Sequence, residues 1–330
     1  MSILRGVIAE IVIALSLTLP APAAALSRPA AARPATAATA PVELALPGSG
    51  GVKYRENTGD PVRLAAYGLG TKRTYLRSAT GNAFAWEKTL SEISVSPGNR
   101  LTAGVPAAYR NGYDSLVVTD RTTGKSTSIR TVKKPLAASY ASWSRDGRQV
   151  ALTVEQKVSG TWRVLGFTVV DVTAKTARTV RISGLSRNAG FWWSPGGNLV
   201  SMYGTGLRVY RAADGAVVRT YKDVGLPTGP EDSFSPSGRS LATWCPSRFK
   251  EQLCVVDAAG GKITRRVNVR PEALFGWWDE SHVIAVMPRG GAYRLSVLDL
   301  GGKVTRVLAD LPAKTWAAEL WVSFTRTGQS

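Results

Sequence analysis

Histidine and cysteine are nearly absent from this sequence, which contains one His and two Cys among 330 residues. A zinc site of the usual ligands and a Ser-His-Asp triad both need more of these side chains than His282, Cys245 and Cys254 supply. The G-x-S-x-G turn of serine hydrolases and the D-x-D-x-D-G loop of calcium sites do not occur either. The sequence therefore predicts no metal, no cofactor and no catalytic residue.

Acidic residues are scarce relative to basic ones. The chain has 23 Asp and Glu against 42 Lys and Arg, which gives a net charge of +19. Such an excess suits an anionic partner such as nucleic acid, an acidic polymer of the cell envelope or a membrane surface. A protein partner is a further candidate. We do not expect nucleic acid as the partner, and the oligomeric state stays open. Because the charge is spread along the chain, a basic surface without any ligand is an equally good interpretation.

Long hydrophobic runs are also missing. The apolar stretch Val7–Leu19 is too short for a comfortable membrane span. It follows Arg5 and precedes small residues, which is the pattern of a secretory signal cleaved after Ala23 or Ala25. We therefore expect residues 1–25 to be a signal peptide that takes the protein out of the cytoplasm. A retained membrane anchor is the alternative.

The segment after the signal is rich in Ala and Pro, a composition that buries too little apolar surface to become ordered. We expect a flexible linker over residues 26–50 and a folded domain over residues 51–330. Export would expose that domain to an oxidising compartment, where paired cysteines usually bridge. Cys245 and Cys254 stand at facing positions of a predicted hairpin, so the sequence predicts a disulfide between them.

An internal repeat dominates the rest of the chain. It consists of an aromatic or apolar residue, a small polar residue and two or three turn-forming residues. The first residues of successive copies are 48, 50, 41, 44 and 46 positions apart. A period in the forties is typical of four-stranded propeller blades. The six copies begin at Val95, Trp143, Trp193, Phe234, Trp278 and Phe324.

A second type of hairpin separates successive copies, as in Leu116–Asp120 with Ser126–Ile129. One such hairpin, Val62–Tyr67 with Arg73–Arg77, precedes the first copy, and an inner strand at Glu319–Phe324 ends the chain. This offset predicts an all-β fold, a β-propeller of six four-stranded blades. The ring would be closed by pairing of the N- and C-terminal strands, which removes exposed sheet edges.

Two copies show the repeat most completely: Trp143–Ala151 reads WSRDGRQVA and Phe234–Ala242 reads FSPSGRSLA. They resemble the TolB-like, WD40-like (PD40-type) propeller repeats, whose core is W-S-P-D-G followed by R-x-L/I-A. The resemblance covers roughly residues 60–328 and implies a secreted, bacterial propeller. Relatives with this propeller carry a separate α/β domain or a hydrolase domain. Because the repeats fill the mature chain here, the resemblance implies neither activity.

Propellers commonly bind ligands on the face that carries the loops between blades and between the second and third strands. In this chain those loops combine basic and aromatic side chains, which suit anionic or planar ligands. The candidate ligand-binding residues are Tyr109, Arg110, Arg187, Arg248, Phe249, Lys250 and Arg289. Glu231 and Asp232 are a further candidate at the mouth of the channel, for a cation or a substrate.

The sequence therefore predicts a non-catalytic binding or scaffold protein of the cell envelope or extracellular space. Its loops would recognise an anionic polymer or a protein. The alternative is a hydrolase or lyase with a carboxylate/Tyr site in the central channel, which requires titratable side chains to converge there. We expect His282 to be a surface turn residue. Four regularly placed aspartates should cap turns, because Asp accepts hydrogen bonds from nearby backbone amides; they are Asp120, Asp171, Asp257 and Asp299.

Overall fold

A computed structural model describes residues 41–70, 73–187, 189–228 and 233–327. The expected signal peptide and the linker up to residue 40 lie outside these residues. The described strands are β1 (Val42–Ala45), β2 (Lys53–Glu56), β3 (Val62–Leu69), β4 (Arg73–Arg77), β5 (Phe84–Glu87), β6 (Leu90–Val95), β7 (Leu101–Pro106), β8 (Tyr113–Asp120), β9 (Ser126–Lys133), β10 (Leu136–Trp143), β11 (Gln149–Val158), β12 (Thr161–Asp171), β13 (Thr176–Arg181), β14 (Trp192–Trp193), β15 (Leu199–Tyr203), β16 (Gly206–Tyr210), β17 (Val217–Tyr221), β18 (Leu226–Pro227), β19 (Ser240–Trp244), β20 (Leu253–Asp257), β21 (Ile263–Val267), β22 (Ala273–Trp277), β23 (His282–Arg289), β24 (Ala292–Asp299), β25 (Val304–Leu311) and β26 (Leu320–Arg326). The helix α1 (Ala313–Ala317) is short, and no helix of the described chain has the length and hydropathy to cross a membrane.

Strands β3 to β26 form six antiparallel sheets of four strands, the blades of a propeller. From the axis outward, blade 1 has the order β26-β3-β4-β5, and blades 2 to 6 each take the next four strands of the chain. In blade 1, β26 pairs with β3, so that Leu320 lies opposite Leu69 and Arg326 lies opposite Val62. The six-bladed propeller and its closure by the two ends of the chain are both confirmed.

The tryptophans of the repeated turn join neighbouring blades. Each of three indoles lies on the inner strand of one blade and donates its Nε1–H to a backbone carbonyl near the axis in the preceding blade. The pairs are Trp143 with Ser94 at 3.3 Å, Trp193 with Ser142 at 3.0 Å and Trp277 with Ser233 at 3.1 Å. All three rings are buried. These tryptophans therefore pack the core between blades and satisfy a buried carbonyl in the same contact.

The fifth copy of the repeat begins one residue earlier than the sequence indicated. Trp277 pairs with Val283 on the next strand, as Trp143 pairs with Val150 in blade 3. The expected first residue, Trp278, instead occupies the position that serine holds in the complete copies. Two adjacent tryptophans made the starting position ambiguous, and the hydrogen-bonded register resolves it.

The hairpin β1–β2 differs from the expected linker, which extended to residue 50. Val42 to Ala45 pair in register with Glu56 to Lys53. Leu44 and Leu46 are buried in a core shared by the first and last blades. These alternating apolar side chains order the end of the Ala- and Pro-rich segment, because they pack against apolar residues of the first and last blades.

A buried ion pair holds this hairpin against blade 1. The Glu56 carboxylate accepts hydrogen bonds from Arg77 Nη1 at 2.7 Å and Nη2 at 2.9 Å. The exposed fractions of the two side chains are 7% for Glu56 and 5% for Arg77. Removing one partner of such a pair leaves a buried charge without compensation, which costs far more than the loss of an exposed pair.

We expect Glu56→Ala to lower the free energy of unfolding by about 3–5 kcal/mol, because Arg77 stays buried. Glu43→Ala on the same hairpin is the matched control, since its partner Lys53 is exposed and 2.8 Å away. The control should cost less than about 1 kcal/mol. Denaturant unfolding followed by tryptophan fluorescence measures both, and equal losses would contradict an anchoring role for Glu56.

Candidate functional site

A pocket of about 850 Å³ opens on the propeller axis. Five blades contribute to its walls through their inner strands, an arrangement that only the axis allows. The contributing side chains include Glu92 of β6, Tyr140 of β10, Trp192 of β14, Pro227 of β18 and Trp321 of β26. The pocket lies at the end of these strands opposite the repeated turns. Its size and its aromatic walls are those of ligand pockets in general.

A strained bulge presents one aromatic ring at this pocket. The pairing of β10 with β11 shifts register between Ser139 and Ser142, and Tyr140 has a φ of 62°. A bulky residue in this left-handed region is an outlier with an energetic cost. The side chain of Tyr140 is 62% exposed, so burial of the ring does not offset the strain. Bulges of this kind commonly re-aim a side chain beside a functional site.

Glu92 of the preceding blade holds the bulge in place. Its Oε2 accepts a hydrogen bond from the backbone amide of Tyr140 at 2.8 Å, and its Oε1 accepts one from Ala141 at 2.9 Å. Burial raises the pKa of Glu92, while the two amides oppose that rise and the nearby Asp114 and Glu155 add to it. Both oxygens of Glu92 are therefore committed to the backbone of β10.

Asp114 on β8 supports the same strand. Its Oδ2 accepts a hydrogen bond from the Ala138 amide at 2.8 Å and its Oδ1 accepts one from Ser115 at 2.9 Å. Burial raises the pKa of this carboxyl as well. No further strand pairs with the axial edge of β10, so its backbone amides have no carbonyl partners there. Two carboxylates of blade 2 accept their hydrogen bonds instead.

The hairpin β11–β12 extends past its blade and contributes to the rim of the pocket. Strand β13 ends opposite Gly166, whereas β12 begins five residues earlier, at Thr161. We call the extension, residues 155–164, the arm. A bulge at its base shifts the register between Val154 and Glu155. Gly166 is required there, because a Cβ would lie 2.0 Å from the carbonyl oxygen of Val180. On the arm, Trp162 lines the pocket and is 45% exposed.

Glu155 lies at the base of the arm and also lines the pocket. Within the described residues its carboxylate has no hydrogen-bond or ion-pair partner, and it is half-buried. Burial raises its pKa. The pKa of the Tyr140 phenol is raised as well, first by burial and then by the charges of Glu155 and Glu92. The phenol and both carboxyls therefore lie near one another.

Of the seven candidate residues from the sequence, Arg187 lines the pocket. The other six do not line that pocket. They lie in three other places: between β7 and β8 (Tyr109, Arg110), between β19 and β20 (Arg248, Phe249, Lys250) and at the end of β23 (Arg289). Asn188, next to Arg187, and the candidates Glu231 and Asp232 lie outside the described residues. Ligand binding by the loop residues stays a prediction.

In the loop between β19 and β20 of blade 5, basic side chains contact the aromatic ring of Phe249. The guanidinium groups of Arg248 and Arg266 lie 4.7 and 4.8 Å from the centre of the Phe249 ring. Arg248 also donates to the carbonyl of Asp223 at 3.0 Å. Lys250 is exposed in the same loop. The predicted cysteine pair closes this loop: the sulfur atoms of Cys245 and Cys254 are at disulfide distance, 2.09 Å apart.

The remaining candidates also make local contacts. The Tyr109 hydroxyl donates to the Leu136 carbonyl at 2.9 Å, and Arg110 forms a backbone bridge with Tyr113. Arg289 lies 3.7 Å from Asp310. The contacts of Tyr109 and Arg289 involve their side chains, whereas the bridge of Arg110 involves only its backbone.

The regularly placed aspartates and the single histidine behave as turn residues. Asp120 accepts hydrogen bonds from the amides of Thr122 and Thr123, and the other three aspartates cap their turns in the same way. His282 Nδ1 lies 2.9 Å from Asp279 Oδ1 within one turn. In the described chain, His, Cys, Asp and Glu form no group of three or more that could hold a metal ion.

Comparison with known proteins supports the fold. No family model and no curated sequence matches the chain. Its structure is similar to TolB from Acinetobacter baumannii, with 15% identity over 78% of this chain and 65% of that one, and a TM-score of 0.47. An oligogalacturonate lyase in complex with manganese has 10% identity over 81% and 83% of the two chains, with a TM-score of 0.52.

An acylaminoacyl peptidase from Pyrococcus horikoshii has 12% identity over 78% of this chain and 43% of its own, with a TM-score of 0.50. The resemblance is one of fold. It confirms the expected likeness to TolB-like and WD40-like propellers. The chain spans less than two thirds of the length of TolB and of the peptidase. At these levels of identity the likeness shows the fold alone, and the fold alone does not decide whether this chain is catalytic.

The strain at Tyr140 can be measured by comparing two truncations of the same ring. We expect Tyr140→Gly to be more stable than Tyr140→Ala by about 1 kcal/mol, because only glycine avoids the Cβ penalty at positive φ. At Ala137 of the same strand, where the backbone is ordinary, Ala137→Gly should instead destabilise the protein. Thermal unfolding of the variants decides the point. If Tyr140→Ala is the more stable truncation, the bulge is not strained.

Proposed function

We propose that this protein is an exported binding protein that takes a ligand into its axial pocket without transforming it. The observation that carries the proposal is a pocket of about 850 Å³ with the exposed rings of Tyr140 and Trp162 at its rim. Exposed aromatic side chains supply large contact area at low entropic cost. The cysteine pair at disulfide distance supports export, since such pairs persist in oxidising compartments.

The alternative of a hydrolase or lyase needs two titratable groups that are free to exchange protons with a substrate. Glu92 and Glu155 both line the pocket, but the oxygens of Glu92 are occupied by the amides of Tyr140 and Ala141. Among the described carboxylates of the pocket, Glu155 is then the one without a partner. The Tyr140 phenol is the second such group, but its raised pKa keeps it protonated, so we propose that the two groups serve recognition and not acid–base chemistry.

Binding in the pocket can be tested with Nile red, a neutral apolar dye whose fluorescence rises on burial. We expect Trp162→Ala and Tyr140→Ala each to weaken dye binding about tenfold, because each removes a ring from the pocket wall. Trp86→Ala is the matched control. Trp86 is 48% exposed, close to the 45% of Trp162, and it lies on the outermost strand of blade 1. Equal weakening by all three variants would place the dye elsewhere.

A second candidate function rests on the charge of +19, which favours attachment to an anionic envelope polymer. The pocket does not carry this function, because it contains Glu92 and Glu155 beside Arg187. Attachment would use the exposed basic side chains of the loops on the pocket face. Lys250 and Arg289 are two of them.

Salt and charge reversal separate specific attachment from bulk attraction. Affinity for dextran sulfate should fall steeply as salt rises, because the Debye length is about 8 Å at physiological ionic strength. We expect the double variant Lys250→Glu/Arg289→Glu to bind more weakly than Lys125→Glu/Lys262→Glu. The second pair is also exposed and lies in turns at the opposite end of the blades. Equal losses would show that only the net charge matters.

A further inference from the structure

The axial pocket combines aromatic rings with an uncompensated carboxylate, and we propose that it selects a cationic ligand: an ammonium group carried on an aromatic or apolar body. This inference rests on the proposed binding function and adds the chemical class of the ligand. Faces of Trp and Tyr attract cations, and a carboxylate is the natural acceptor of an ammonium group. Tyr140, Trp162 and Glu155 supply these partners on one side of the pocket.

The charge of the pocket is opposite to that of the protein. Glu92 and Glu155 line it, and Asp114 lies behind Glu92, where its charge contributes to the raised pKa of that residue. Arg187 is the single basic residue among the described lining residues, and it is exposed on a loop at the rim. The positive surface is screened beyond about 8 Å at physiological salt, whereas groups that line the pocket act at contact.

Glu155 supplies the clearest requirement for a cation. A partly buried carboxylate without a partner is unfavourable, and proteins normally pair such a group. Each oxygen of Glu92 has an amide donor, but Glu155 has none within the described chain. A bound ammonium group would provide the missing donor. The neighbouring rings of Tyr140 and Trp162 would exclude water from the pair and strengthen it.

The rest of the pocket suits the body of the ligand. Phe191, Trp192 and Met202 form an apolar wall, and Trp321 closes another side. The ring of Trp321 lies directly over Gly68, where a Cβ would be 2.1 Å from Nε1, so this wall is fixed by close packing. A flat aromatic group could therefore stack within the pocket while its ammonium group reaches Glu155.

Three indoles with different side groups test this charge selection: tryptamine is a cation, indole-3-ethanol is neutral and indole-3-acetate is an anion. Isothermal titration calorimetry with the mature protein should give the order tryptamine, indole-3-ethanol, indole-3-acetate, with about tenfold between the first two. If indole-3-ethanol binds as tightly as tryptamine, the cationic preference is wrong and the pocket function stands. If indole-3-acetate binds tightest, Arg187 sets the selectivity instead. If none binds, the proposed function itself fails.

Glu155→Gln isolates the carboxylate, because it removes the charge and keeps the shape. Tryptamine should lose about tenfold in affinity, whereas indole-3-ethanol should be unchanged. Glu43→Gln, at an exposed position of the β1–β2 hairpin, is the control and should alter neither. Unchanged tryptamine binding in Glu155→Gln would overturn the assignment of Glu155. A loss of affinity for both indoles alike would show that Glu155 has a structural role and does not recognise the charge. The melting temperature of Glu155→Gln is the check on its fold, and we expect it to be unchanged.

Discussion

The pairing of β26 with β3 is the constraint on which the whole ring depends. It builds one blade from both ends of the chain, so β3 has a partner on its inner side and blade 1 has four strands like the others. Blades then meet their neighbours through buried indoles that donate to carbonyls near the axis, as in Trp193 with Ser142. The β1–β2 hairpin covers the closure, and the buried Glu56–Arg77 pair fixes it to blade 1.

A closed propeller leaves backbone amides of its inner strands without a partner strand at the axis. An inner strand pairs with a partner on one side only, and its other edge exposes amides to the channel. On strand β10, carboxylates of the preceding blade, Glu92 and Asp114, accept hydrogen bonds from these amides. Their position is thus explained by hydrogen bonding of the backbone. The same contact holds the bulge at Tyr140, so a structural requirement of the propeller also shapes the rim of the pocket.

The fold was predictable from the sequence, but most of the pocket was not. The repeats reflect what the six blades have in common, and they were sufficient to predict the number of blades and the closure of the ring. The pocket depends on local features that the repeat does not specify: the positive φ of Tyr140 in its bulge and the arm that extends beyond Gly166. Tyr140 precedes the motif without any unusual residue, so nothing in the sequence marked its positive φ. The unusual length of the β11–β12 hairpin was the one available signal.

Net charge directed the sequence interpretation toward basic loops, whereas the charge of one pocket is set by the few side chains that line it. Basic side chains such as Arg248 are partly used by their own loops, on rings and carbonyls nearby. The few acids, in contrast, include three that converge near the axis: Glu92, Asp114 and Glu155. Asp114 is buried and Glu92 and Glu155 are partly buried, and this burial raises the pKa of each carboxyl. Selectivity in such a pocket depends on the groups at contact, and those groups favour a positive charge.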